Sequence, residues 1–221
     1  MTDPQTELVP ALSAPDPQQR LQAALQIGIR ADPRDLGALV ARCETEPDFF
    51  VRDMLTWALT RLPAEDTVPR LISELDSAVP QAISQALHTL SKIGDRRGWQ
   101  AQDPRRIGDR LIAHPDTEVA RSAWRSAAAL VPGDEREDLA EVLITQLGRG
   151  DVEMQKSLSR TVVALGEDLV SVLDEKLLAE DDTVRAHAMA TREMFADPDA
   201  GFAHALAAAK RVVALGPETT I

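Results

Sequence analysis

Tyrosine is missing from this chain, cysteine occurs once, and the aromatic residues, four Phe and three Trp, make up only 3% of its 221 positions. A lone thiol, Cys43, can form neither an internal disulfide framework nor a cysteine zinc site. The shortage of aromatics removes much of the stock from which sheet sandwiches are packed. No run approaches the roughly 18 apolar residues that span a bilayer. Met1 to Pro10 has neither the basic run nor the apolar stretch of a signal peptide. Cations are outnumbered as well: 24 Lys and Arg face 36 Asp and Glu, for a formal net charge of −12. A surface of that sign repels nucleic acid and anionic membrane as a whole. Together these absences lead us to expect a soluble cytoplasmic protein that binds no membrane.

Catalytic constellations are also missing. The histidines are His88, His114, His187 and His204. None is followed by Glu, and no two share the helical spacing of a metal pair. No glycine-rich phosphate loop and no nucleophile elbow occur, and Gly148-Arg149-Gly150 reads as a turn between helices. Paired carboxylates such as Glu65-Asp66, Glu137-Asp138 and Glu167-Asp168 fall at predicted helix starts, where they offset the helix dipole. Cys43 lies in an apolar helical frame and reads as an inert buried thiol. The expectation is no catalytic residue, no metal, no cofactor and no enzymatic activity.

What the chain does contain is helix-forming apolar residue, with a hydrophobic fraction of 44%. Ala and Leu dominate it, and Ala lets helices approach closely. One pattern recurs. An Asp is followed three positions later by an apolar residue: Asp48 and Val51, Asp76 and Val79, Asp116 and Val119, Asp151 and Met154, Asp181 and Val184. Positions four, seven, eight and eleven beyond each apolar residue are mostly apolar or small, as in Leu55, Ala58, Leu59 and Leu62. That spacing makes one stripe on a helix. The Asp predicts an N-cap, whose carboxylate accepts the exposed amides of the first turn. A partner helix precedes each stripe, several of them opened by an Asp such as Asp35, Asp103 or Asp134. Successive markers lie roughly 28 to 40 residues apart, the scale of a helix-pair repeat.

The pattern Asp181-Asp182-Thr183-Val184-Arg185 followed by Ala and Leu pairs resembles HEAT repeats, most nearly the short kind named after phycobilisome lyases. Only Arg52 and Arg185 keep the Arg that follows the Val, with Pro80, Ala120 and Gln155 in its place elsewhere. The resemblance implies an all-α fold, a right-handed α-solenoid of about five to six helix pairs forming one domain over 1–221. The repeats are expected near 7–28, 35–62, 67–93, 103–131, 134–166 and 168–196, with a capping helix over 198–216. It implies a concave face lined by the second helices and used for binding.

Projected at about 100° per residue, offsets two, five and six beyond each apolar marker point away from the stripe. They gather Arg121, Trp124, Arg125, Lys156 and Arg160 on one face, with His88 on the preceding repeat. Trp124 either anchors an interaction patch among these cations or wedges between repeats. A second candidate is the insert Asp95 to Gln102, where Arg96, Arg97 and Trp99 sit in a predicted loop. Trp99 either contacts a partner or folds back over a helix pair.

The reading this supports first is a non-catalytic scaffold or adaptor that binds another protein through an acidic segment. One alternative is a DNA-repair protein similar to the alkylpurine glycosylases built from HEAT-like repeats, for which Asp53 and Trp57 are the superficial match. Another is a tetrapyrrole or bilin lyase-like chaperone, which the repeat type implies.

Overall fold

The computed structural model describes residues 5–197 and 202–215. Among the described residues there is 78% helix and no strand. The chain divides into two compact units, the first ending at Arg106 and the second beginning at Ile107.

The first unit holds α1 (Gln5–Ala11), α2 (Pro17–Arg30), α3 (Leu36–Thr45), α4 (Phe49–Arg61), α5 (Ala64–Glu74), α6 (Pro80–Ile93) and α7 (Arg96–Gln102). A single turn, α8 (Pro104–Ile107), carries the chain over the boundary. In this unit α4 packs on both α2 and α6, while α6 packs on α3 and α5. The stripes meet in a core of Ile27, Leu39, Leu55, Leu59, Leu71 and Leu87, all fully buried. Each such side chain contributes about 1.5–3 kcal/mol on burial. Gly28 sets how closely α2 approaches α4, because a Cβ there would come within 2.4 Å of the Trp57 ring.

The second unit holds α9 (Thr117–Leu130), α10 (Arg136–Leu143), α11 (Val152–Ala164), α12 (Asp182–Ala196) and α13 (Phe202–Leu215). Here α11 packs against α9 and α12, and α12 against α13. Val119, Leu143, Leu158, Val162, Leu173 and Phe202 fill its interior.

The repeated Asp caps its helix at most positions. Asp48 accepts the amides of Phe50 and Val51 at 2.8 and 3.1 Å. Asp116 takes those of Glu118 and Val119 at 2.9 and 3.1 Å. Asp151 takes that of Met154 at 2.9 Å, and Asp181 those of Thr183 and Val184 at 2.7 and 3.2 Å. Asp76 is the exception. Its helix opens later, at Pro80, and the Ser77 hydroxyl accepts the Val79 amide instead. Pro80 at the first position removes one of the unpaired amides of that end, and Val79, at the cap position, offers no side-chain acceptor for the rest. Asp103 caps α8 by accepting the Arg105 amide at 3.0 Å. Asp35 and Asp134 do not cap: Asp35 pairs with Arg30, and Asp134 lies inside a 3-10 turn, Gly133–Glu135.

Three expected elements take another form. The segment through Leu111 and Ile112 is not a full helix, because Gly108 adopts φ 69° and ends α8 after one turn. The segment before Asp181 forms 3-10 turns, Glu167–Leu173 and Lys176–Leu178, and leaves Leu178 84% exposed rather than in a stripe. The insert is helical rather than a loop: Asp95 caps α7, which packs on α5 and α6 and buries Trp99. Of the expected C-terminal capping helix, α13 is described, whereas Pro198 and Gly216 lie outside the described residues.

Candidate functional site

Helices α9 and α11 run side by side in the second unit, and an open cleft of about 370 Å³ lies along them. Its walls carry Arg121 and Arg125 from α9, and Lys156 and Arg160 from α11. Glu153 is the acidic residue in the lining, and small residues such as Ala128, Ala164 and Ser157 form the rest. The helical offset explains the placement. Arg121 and Arg125 stand one turn apart, as do Lys156 and Arg160, so each helix presents a ladder of two cations to the same space.

The cations are held in different ways. Arg121 pairs with Glu118 at 3.0 Å through Nη1, while its Nε–H is buried and has no hydrogen-bond partner. Arg125 donates from Nε to the Arg121 carbonyl at 3.1 Å. Although the Arg125 side chain keeps an exposed surface, desolvation by the protein around it, then the neighbouring Arg121 charge, holds its guanidinium below the ordinary pKa, with Glu118 opposing. Arg125 and Arg160 are exposed; Arg121 and Lys156 are half-buried. The cleft is a place where cations crowd beyond what local acids neutralise, which favours an incoming anion.

Trp124 does not belong to this surface. It is 0% exposed, and its indole Nε1–H donates to the Ile112 carbonyl at 2.9 Å. The expectation of an exposed Trp124 anchor is therefore corrected. The same offset is buried at Thr56 and Ser159. The physical reason is lateral packing. Thr56 faces Thr89 of α6 at 3.5 Å, and Ser159 meets Thr191 of α12 at 2.7 Å. A helix stacked between neighbours is covered on its flanks as well as on its stripe, which a projection of one helix omits.

The insert is corrected likewise. Trp99 is 3% exposed, so it covers a helix pair rather than meeting a partner. Arg97 pairs with Asp95 at 2.8 Å and donates to the Ala64 carbonyl at 3.1 Å, tying α7 to α5. Arg96 is exposed. His88 lies half-buried on α6, in the first unit, and does not line the cleft. Asp53 and Trp57 are both exposed on α4.

Two buried polar clusters escaped the sequence reading. In the first unit the Glu46 carboxylate is fully buried and accepts Arg20 Nε and Nη2 at 2.8 and 2.7 Å, Arg42 Nε at 2.7 Å and the Asp48 amide at 2.9 Å. Burial pushes its pKa up, but Arg20, the Asp48 amide and Arg42 outweigh that and hold it at about 2. In the second unit His187 is fully buried. Its Nδ1 accepts the Gly148 amide at 2.9 Å, and its Nε2 faces the Gln155 carbonyl and Ser159 hydroxyl at 3.0 Å each. Nδ1 as acceptor fixes the proton on Nε2. Among the described residues no group of three His, Cys, Asp or Glu side chains could hold a metal ion. Nor is any helix among them long and apolar enough to cross a membrane.

No protein-family model matches the chain, and no curated protein matches it. Among solved structures it is similar to two engineered proteins, at 21% and 18% identity, each over 88% of this chain and 97% and 99% of theirs, both with a TM-score of 0.45. It is also similar to the complex of CpcE and CpcF of phycocyanin lyase from a Nostoc species, at 16% identity over 96% of this chain and 97% of that one, with a TM-score of 0.39. One expectation is corrected by these comparisons. The sequence pointed away from an enzyme, but a protein the chain is similar to is named as a lyase, so that exclusion is withdrawn.

Proposed function

We propose that this chain binds a protein partner by taking an acidic segment into the cleft between α9 and α11. The observation that carries the reading is the convergence of Arg121, Arg125, Lys156 and Arg160 on one cleft of a protein whose net charge is −12. Such local reversal of sign steers an acidic segment to one place on the surface and away from the rest. The small residues along the cleft leave room for a backbone or for aliphatic stems. On this reading the helix pairs within each unit are repeats of the HEAT type, the Asp caps fix their ends, and the protein acts in the cytoplasm. The anchor role once expected of Trp124 passes to the cations.

The test is direct. A fluorescein-labelled Glu-rich peptide should bind at an ionic strength of about 0.01 M, where the Debye length is about 30 Å, and weaken at about 0.15 M, where it is about 8 Å. Lys156→Glu with Arg160→Glu should weaken it by about tenfold or more. Anisotropy that is unchanged by the double substitution sinks the reading.

A further inference from the structure

The charge balance of the cleft is more specific than its sign. Arg121, Arg125, Lys156 and Arg160 are opposed by Glu153 in the lining and by Glu118, which is already engaged with Arg121. Two positive charges are left over. With Arg121 offset by Glu118, the surplus falls on Arg125 and on the Lys156 and Arg160 ladder, of whose charges Glu153 offsets one.

Resting on the reading of this cleft as the docking place of an acidic segment, we propose that the group it takes is one phosphoryl dianion on a phosphorylated side chain of the partner. A phosphomonoester carries close to two negative charges at neutral pH and three strong acceptor oxygens. One such group cancels the surplus, whereas carboxylates need two side chains held together. Guanidinium forks match phosphoryl oxygens in geometry, and Arg supplies three of the four cations here. The cleft of about 370 Å³ has room for one such group and its stem. Glu153 in the lining repels a second phosphate next to the first, and the net charge of −12 repels a chain of them. This favours an isolated phosphoryl group over nucleic acid.

The test uses the full chain and three labelled peptides of one sequence, carrying at a single position phosphoserine, serine or glutamate. Anisotropy should show the phosphoserine peptide binding at least about tenfold tighter than the serine peptide, and several-fold tighter than the glutamate one. The advantage should shrink as pH falls below about 6, where the phosphoryl group takes up its second proton. Arg125→Gln and Arg160→Gln, both at exposed positions, should remove the preference with an unchanged far-ultraviolet dichroism spectrum. Inorganic phosphate should compete only weakly, because it lacks the segment. Equal binding of the glutamate and phosphoserine peptides overturns the phosphoryl assignment and leaves the acidic-segment reading standing. If no peptide binds, both fall. A preference that survives both Arg substitutions places the site elsewhere. Tighter binding of a single-stranded oligonucleotide, or competition by inorganic phosphate as strong as by the peptide, overturns the assignment to a phosphorylated protein segment.

Discussion

Acid should loosen the second unit through His187, and the size of the effect follows from its surroundings. The ring is fully buried between α11 and α12, edge-on to Phe202 at 5.7 Å. Burial lowers its pKa first, the Gln155 carbonyl raises it, and Lys210 lowers it further, leaving it at about 4 against an ordinary 6.5. Protonation at Nδ1 would set a new N–H against the Gly148 amide, which now donates to that nitrogen at 2.9 Å. Because the folded pKa is depressed, the unfolded chain binds the proton more readily. The contribution to stability is complete above about 6.5, is lost as pH falls toward about 4, and is flat below that. The interval corresponds to about 3 kcal/mol. Hydrogen exchange read by mass spectrometry in α11 and α12, corrected for the intrinsic pH dependence, should show protection falling over that window. His187→Gln keeps an acceptor and a donor but cannot titrate, so its protection should start lower and stay level there. Protection of the parent that is flat between pH 7 and 4, or a variant that keeps the parent's slope, refutes the argument.

Three further outcomes are expected. Trp124→Ala should cost about 3–5 kcal/mol in urea unfolding, as a large core truncation does, and Trp124→Phe only about 1 kcal/mol for the lost indole hydrogen bond, because Arg149 Nη1 also donates to the Ile112 carbonyl, at 3.5 Å. Glu46→Ala should cost about 3–5 kcal/mol, since it strands Arg20 and Arg42 near a buried site. With its folded pKa depressed to about 2, the stabilisation from Glu46 is complete above about 4.5 and is lost as pH falls toward about 2, a window that exchange in α2 to α4 can read. Asp116→Ala should lower stability by roughly 1 kcal/mol, measured as a shift in the urea midpoint, through loss of the cap on α9.

How far the fold could be read in advance depended on whether a feature is local and periodic. The Asp caps of α4, α9, α11 and α12 are local, since a carboxylate reaches amides two and three residues away. The apolar stripes are periodic, and Leu55, Leu87, Leu158 and their counterparts lie in the cores of their units. Where a residue overrides the period the reading failed: Gly108 stops a helix after one turn, and Pro80 moves a helix start off its Asp. The face carrying Arg121, Arg125, Lys156 and Arg160 was reachable because the offsets two and six beyond the marker point off the stripe, and both helices follow the same frame. Offset five was misjudged for Trp124 because its environment is set by the neighbouring chain segment at Ile112, not by its own helix. The same reason hid the polar clusters. Glu46 meets Arg20 across 26 positions and His187 meets Gly148 across 39, with no spacing rule that links them. A buried ion pair has no period, and its members read in sequence as ordinary surface charges. Only the packing that removes water from around them turns Arg20 and Glu46 from solvated side chains into the tie between α2 and the start of α4.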